Sequence, residues 1–281
     1  MIRVRADRGR SIKSVMADRK SMKNKTIKLI SLNTWAGRAL HPLMRFFKKY
    51  GDDMDIFCLQ EVHDIDQKTA DERHPEEHIC GPLFKKILTQ LPDFESSFAF
   101  FDDDKRRMSL AVFMRRGLPI KTIEDFIVYK PEQPKEVGSL MLTARKLQYV
   151  TLNFDGIELL IANYHGLWNG GPKTDTPERI EQSEKIKSFL DEFSGPKILC
   201  GDFNLLPDTK SISILEKGMR NLVKEYGIAS TRTLLYRHYD KNDEPNFADY
   251  IFLTPNIEVV DFKVLPDVVS DHSPLYLEFS Y

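Results

Sequence analysis

Several apolar, strand-like runs of this 281-residue chain end abruptly in an acid, an amide or an imidazole. Asn33 follows IKLISL, Gln60-Glu61 follow DIFCL, His165 follows IELLIANY, and Asp202 and Asn204 follow KILCG. Asp249 stands just before YIFL, and Asp271-His272 precede the final run PLYLEF. Singly, a strand-end Asp or Asn reads as a turn former or a helix cap, and a lone His as a structural residue. Together they aim one set of acids, amides and imidazoles at a single rim of a sheet. Glu61 and Asp271 are hard oxygen ligands and Asn33 adds a neutral one, a combination suited to Mg²⁺ or Mn²⁺. The Cys pairs or HExxH helix of a zinc site are absent. Mg²⁺ binds through one or two carboxylates plus substrate phosphate. Two histidines and a spare Asp then suffice to manage protons around a phosphorus centre.

The elements that must position this set alternate along the chain. Residues 27–32 are a short β-rich run, and residues 55–60 are a continuous apolar run suited to a strand buried on both faces. Residues 43–50 and 83–91 have helical spacing, the second stopped by Pro92. Residues 62–80 are polar and read as a loop. Runs 94–101, 109–116, 147–154 and 157–165 read as strands, the last two joined by Asp155-Gly156, a strong hairpin signal. Thr176-Pro177-Glu178 opens a helix with an N-cap, a Pro at the first position and an acid in the first turn. Its buried face is expected at Ile180, Ser183, Ile186, Phe189, Leu190 and Phe193. Runs 197–204, 248–253, 257–265 and 274–279 complete the strands. No internal repeat or low-complexity linker interrupts this order, so residues 26–281 read as one α/β domain.

Composition bounds the alternatives. With 41% hydrophobic and 30% charged residues, and 41 Lys+Arg against 42 Asp+Glu, the chain is that of a soluble globular protein rather than a disordered one. No stretch approaches the ~18 apolar residues of a transmembrane helix. Cys58, Cys80 and Cys200 are too few and too scattered for a disulfide framework, which suits reduced thiols in a cytoplasmic protein. Residues 1–25 hold nine Lys/Arg against two Asp, while the rest of the chain is net acidic. That head lacks the apolar segment of a secretory signal. It reads as a disordered basic arm, or as sequence upstream of a start at Met22.

The strings SLNTW (31–35), LQEV (59–62), NYHGLW (163–168), GDFN (201–204), ADYIF (248–252) and SDHSPL (270–275) occur in the order found in the endonuclease/exonuclease/phosphatase (DNase-I-like) superfamily, which the chain resembles over about residues 27–281. The resemblance implies a four-layer α/β sandwich, two packed mixed β-sheets flanked by helices, and divalent-metal-dependent hydrolysis of phosphate esters. By the same resemblance Glu61 is the principal metal ligand, supported by Asn33 and Asp271. Asp202 orients or deprotonates the attacking water, and Asn204 donates to the scissile phosphate. His272 is the catalytic imidazole and Asp249 its orienting carboxylate, an arrangement that fixes a tautomer and stabilises imidazolium. His165 donates to phosphate or protonates the leaving oxygen. Both Asp202 and His272 stand as candidates for the general base.

Weaker candidates are Arg145 as a phosphate contact and Trp168 as a stacking surface, against the readings of a solvated strand-edge Arg and a packed indole. Lys173 reads as a solvated loop lysine. His74 and His78 are spaced i,i+4 but separated by Pro75 in a polar loop, so metal binding there is not expected. Asp102-Asp103-Asp104 followed by Lys105-Arg106-Arg107 reads as a hairpin turn. The expected reaction is in-line attack of water on a phosphodiester, with DNA or RNA as first choice. A small-molecule or lipid-headgroup phosphoesterase, sphingomyelinase-like or inositol-phosphatase-like, is the alternative, and a catalytically silent binding module a third. The chain is expected to act as a monomer, with no protein partner.

Overall fold

The computed structural model describes residues 26–73, 75–99, 109–130, 135–137, 140–142, 144–239 and 246–281. The basic head, His74 and the 102–107 turn lie outside the described residues.

Two apolar runs, Ile27–Asn33 (β1) and Ile56–Val62 (β2), pair in parallel at the centre of one sheet. Phe94–Ala99 (β3) and Ser109–Arg115 (β4) extend it on the β2 side, and Glu258–Val264 (β13) and Leu275–Ser280 (β14) on the β1 side. The order is β13-β14-β1-β2-β4-β3. The second sheet is centred on Ile157–His165 (β9) and Lys197–Asp202 (β10), also parallel. Around them lie Ile120–Tyr129 (β5), Arg145–Phe154 (β8), Arg220–Asn221 (β11) and Asp249–Leu253 (β12), in the order β11-β12-β10-β9-β8-β5. Both six-stranded sheets are mixed, because β1–β2 and β9–β10 are parallel while their other neighbours pair antiparallel. Lys135–Val137 (β6) and Leu140–Leu142 (β7) form a separate small hairpin.

Strand alternation sorts the core. Ile27, Leu29, Ile56 and Cys58 face the second sheet and meet Leu147, Ile161 and Cys200 there. Ile30, Leu32, Phe57 and Leu59 point the other way and pack under the helices Leu40–Tyr50 and Leu83–Gln90. Burial on both faces is why β2 reads as a continuous apolar run rather than as an alternation. All three cysteines are buried free thiols, as their apolar settings suggest. Among the described residues no helix is long and apolar enough to cross a membrane.

Several elements follow the sequence closely. Asp155 and Gly156 both take positive φ, 52° and 93°, as the tight turn between β8 and β9 requires. Thr176 caps the helix Pro177–Glu192 by accepting from Arg179 N. The buried face of that helix differs from expectation. Ser183, Ile186 and Leu190 are buried, but Arg179 and Gln182 are buried beside them and Ile180 is only half-buried. The reason is polar. Arg179 donates to the carbonyls of Leu167, Pro172 and Thr174 and to Asn169 Oδ1, and Gln182 accepts from Leu167 N. The helix therefore holds the loop after β9 in place as well as packing on the sheet. The 62–80 segment is not all loop, for Gln67–Arg73 is helical. The edge strand β5 and the short helices Lys210–Leu215 and Leu222–Glu225 have no counterpart in the sequence reading.

Candidate active site

The C-terminal ends of the four parallel strands meet at one rim. Asn33 and Gln60 are register partners on β1 and β2, and Asp202 is flanked by His165 on β9 and Asp249 on β12. Gly201 permits the close approach behind Asp202, since a Cβ there would lie 1.9 Å from the Tyr164 carbonyl oxygen. Glu61 follows a register shift between Leu59 and Val62 and has φ 54°. Such a bulge re-aims a side chain that regular pairing would point elsewhere. Trp35, Ala36 and Asn204 also have positive φ and, with Glu61, line one cavity of about 450 Å³. Backbone strain of this kind concentrates at functional sites.

A buried amide network ties the two sheets below this rim. Gln60 Nε2 donates to Asn163 Oδ1 at 2.7 Å, and Asn163 Nδ2 donates to the carbonyls of Leu59 and Ala111 at 3.1 and 3.3 Å. Glu61 and His165 thus rise from a cross-braced floor.

At the centre, His272 Nδ1 lies 2.9 Å from both oxygens of Asp249, and Nε2 lies 3.5 Å from Asp202 Oδ2 and 3.8 Å from Asp271 Oδ1. Asp202 also receives Asn33 Nδ2 at 2.9 Å and Asn204 N at 2.9 Å. The Asn33 amide is oriented by the backbone. Trp35 N–H needs an acceptor and finds Asn33 Oδ1 at 2.9 Å, which turns the NH₂ toward the carboxylates. His165 Nε2 lies 3.6 Å from Asp202 Oδ2 and 3.8 Å from Glu61 Oε1.

Electrostatics sort these groups. Burial pushes the Asp202 carboxyl up, but His272, His165, Arg232 and Lys173 outweigh it and hold Asp202 well below the usual range. Glu61 is raised by burial and by the negative charge of Asp271. Burial also raises Asp249, against the pull of His272. Burial holds His165 down at about 3. For His272, burial and Arg232 pull downward, but Asp249, Asp202 and Asp271 prevail and raise it.

Two like charges, Glu61 and Asp271, partly buried on one cavity wall are a setting that a hard divalent cation relieves. Asp202, Asp249 and His272 also present ligand atoms within 4.8 Å of one another. Their lone pairs are already engaged: Asp249 with His272 Nδ1, and Asp202 with Asn33 and Asn204. Asp271 Oδ2 is likewise engaged, by Arg232 Nη1 at 2.9 Å, so Glu61 with Asp271 and Asp202 with Asp249 and His272 are both candidate settings for Mg²⁺ or Mn²⁺.

The structure gathers Glu61, His165, Asp202, Asn204, Asp271, His272 and Trp168 around the cavity. Asn33 and Asp249 stand just behind, bonded to Asp202 and His272. Arg145 is not among the residues that line the cavity. It is buried and gives Nε to the Gly166 carbonyl at 3.0 Å, so it supports the loop that carries Trp168. Lys173 is not solvated, being 8% exposed and bonded to the Phe247 carbonyl at 2.8 Å. The sequence reading missed Arg232 and Tyr236, both on the cavity wall. Arg232 Nη1 donates to Asp271 Oδ2 at 2.9 Å, and its guanidinium carbon lies 4.5 Å from the Tyr236 ring centroid. Nothing in the string TRTLLYR separates these two from ordinary loop residues.

The pattern of the Endonuclease/Exonuclease/phosphatase family matches residues 30–272. No curated protein matches the chain in sequence. Among solved structures, an endonuclease/exonuclease/phosphatase family protein from Bacteroides thetaiotaomicron is 22% identical, covers 91% of this chain and 95% of its own, and superposes with a TM-score of 0.66. The mannosyl-6-phosphatase Bt3783 from Bacteroides thetaiotaomicron VPI-5482 is 21% identical, with coverages of 91% and 100% and a TM-score of 0.65. D. rerio TDP2, complexed with single strand DNA product, is 16% identical, with coverages of 92% and 100% and a TM-score of 0.66. At these identities the likeness is one of fold.

Proposed function

The chain belongs to the endonuclease/exonuclease/phosphatase family, and on that footing we propose that it is a divalent-metal-dependent hydrolase of phosphate esters acting by in-line attack of water. The observation that carries this reading is the buried row Asp249–His272–Asp202 opening on a cavity that also holds Glu61, Asp271 and Asn204.

Asp202 Oδ2 and His272 Nε2 are 3.5 Å apart, so one water can touch both. Asp202, held ionised and already accepting from Asn33 and Asn204, is a weak base and a good anchor: a remaining lone pair accepts one water proton as a hydrogen bond and fixes the attack direction. His272 takes the other proton. Asp249 accepts from Nδ1–H, keeps Nε2 free as the acceptor, and stabilises the imidazolium that forms. Asn204 Nδ2 and His165 donate to the phosphoryl oxygens as their negative charge grows. Asn33 serves the carboxylates as a donor rather than as the neutral ligand its residue type suggests. Glu61 and Asp271 would hold Mg²⁺ or Mn²⁺, which supplies positive charge against the phosphoryl group when bound.

A cavity of about 450 Å³ suits a small phosphate ester or the end of a strand rather than the face of a duplex. Solved relatives in fold include both a mannosyl-6-phosphatase and a protein seen with single-stranded DNA, which fits either kind of ester. The test is release of nitrophenol from p-nitrophenyl phosphate and bis-p-nitrophenyl phosphate with Mg²⁺ or Mn²⁺, with and without EDTA. Chelator-sensitive turnover of either ester supports the reading. No turnover with any metal favours a silent binding module.

A further inference from the structure

The lining of the same cavity carries two buried cations around one ring. Arg232 Cζ lies 4.5 Å and Lys173 Nζ 5.3 Å from the Tyr236 centroid, and the two residues are only 7% and 8% exposed. Their donors outnumber their acceptors. A lysine has three N–H donors and an arginine five. Lys173 gives one to the Phe247 carbonyl, Arg232 gives Nη1 to Asp271, and buried Arg232 Nε has no acceptor at all. Burying charged donors without acceptors is costly. Crowding shows on Lys173, which burial and the neighbouring Arg232 pull down to about 8. Both residues line the cavity, so an anion there would be met by the Lys173 ammonium and the cavity-facing part of the Arg232 guanidinium.

The number of phosphoryl oxygens decides which anion. A phosphodiester has two non-bridging oxygens, and the groups already described would serve both: Asn204 and His165 as donors, with Glu61 and Asp271 as the carboxylates that would hold a divalent cation beside them. A phosphomonoester has a third, with a second negative charge; of the cations lining the cavity, Arg38 is paired with Glu77 and Arg237 with His238, which leaves Lys173 and Arg232 as the buried pair suited to receive it. Charge-assisted bonds to a dianion are the strong kind. We propose that Lys173 and Arg232 form a subsite for the third non-bridging oxygen, and that the substrate is therefore a phosphomonoester. This rests on reading the site as a phosphoesterase. In the reaction the water oxygen bonds to phosphorus as the ester P–O bond breaks. The bonding pair leaves with the ester oxygen, and one water proton passes to His272. The leaving oxygen takes a proton from solvent to end as an alcohol, His272 returns its proton to solvent, and inorganic phosphate is the other product.

The 281-residue protein with saturating Mg²⁺ or Mn²⁺ tests this by comparing p-nitrophenyl phosphate with bis-p-nitrophenyl phosphate. The expected kcat/KM favours the monoester by ~100-fold. Lys173→Gln removes one charge-assisted bond and lowers monoester kcat/KM by about 10- to 100-fold. Diester hydrolysis falls much less, so the ratio collapses. A diester turned over as fast as the monoester, or equal losses on both in Lys173→Gln, overturns the subsite. A second measurement needs no variant: inorganic phosphate should compete with substrate at least ~10-fold better than dimethyl phosphate, and equal inhibition overturns it too. If neither ester turns over, the phosphoesterase reading itself fails, whereas turnover of the diester alone removes only the monoester assignment.

Discussion

Both oxygens of Asp249 lie 2.9 Å from His272 Nδ1, on the side of the ring away from Asp202. A carboxylate so placed accepts from Nδ1–H and leaves the lone pair on Nε2, facing the cavity. Asp249→Asn keeps the shape and loses the charge, and its amide can donate to Nδ1 and so favour the wrong tautomer. It should lower kcat on the order of 10³-fold or more with KM little changed, by analogy with other His–carboxylate pairs. Steady-state kinetics at saturating metal decide it. A drop below tenfold would mean that His272 does not depend on Asp249.

The same pair sets the pH profile. Burial and Arg232 lower the His272 pKa, but Asp249, Asp202 and Asp271 raise it further, so it ends above its ordinary value of about 6.5. As a base His272 must be unprotonated, so kcat/KM should rise with pH through a pKa above 6.5 and then level off. Asp249→Asn removes one raising charge, and the limb of its residual activity should move to lower pH. For stability the sign is opposite. A raised histidine binds its proton more tightly when folded, so its contribution is complete below the unfolded pKa and is lost as pH rises through the folded one. A limb that stays in place in Asp249→Asn would assign the titration to another group.

His165 is buried beside Asp202 and Glu61, and burial keeps it neutral down to about 3. A neutral imidazole can donate a hydrogen bond but is a poor proton source for a leaving group. His165→Ala should therefore cost about 10²-fold in kcat, and the loss should be equal on p-nitrophenyl phosphate and on phenyl phosphate. A much larger loss on the phenyl ester, whose leaving group needs a proton more, would restore His165 as the general acid.

What the sequence disclosed and concealed follows from physical causes. Asn33, Glu61, His165, Asp202 and His272 were visible because a polar residue closing an apolar strand is conspicuous. The parallel pairs β1–β2 and β9–β10 then carry such ends to one rim. Lys173 and Arg232 were not visible, because their burial comes from chains folded over them, Phe247 and Tyr236 among others. The burial of Arg145 is hidden for the same reason: a strand-edge arginine that reads as solvated gives no sign that the Gly166 carbonyl will claim it. The helix Gln67–Arg73 was missed because Ala70 is its one apolar residue and gives no periodic face. The strand Ile120–Tyr129 was missed because it is an edge strand, with Lys121, Glu124 and Asp125 breaking any alternation.

Glu61 and Asp271 share a wall but have different partners, and metal binding should separate them. Asp271 is paired with Arg232 at 2.9 Å, whereas Glu61 is raised by burial and by Asp271 itself. In EDTA, Glu61→Gln removes a repelled charge, so its Tm should equal or exceed that of the wild type. Asp271→Asn strands buried Arg232 and should lower stability by about 3 kcal/mol. Added Mg²⁺ or Mn²⁺ at a hundred times its Kd should stabilise the wild type by about 2.7 kcal/mol. For a chain of this size that is a rise in Tm of roughly 5–10 °C. Both variants should lose most of that rise, measured by thermal unfolding with and without the ion. If Glu61→Gln keeps the full rise, the cation sits elsewhere, and the row Asp202–His272–Asp249 becomes the place to look for it.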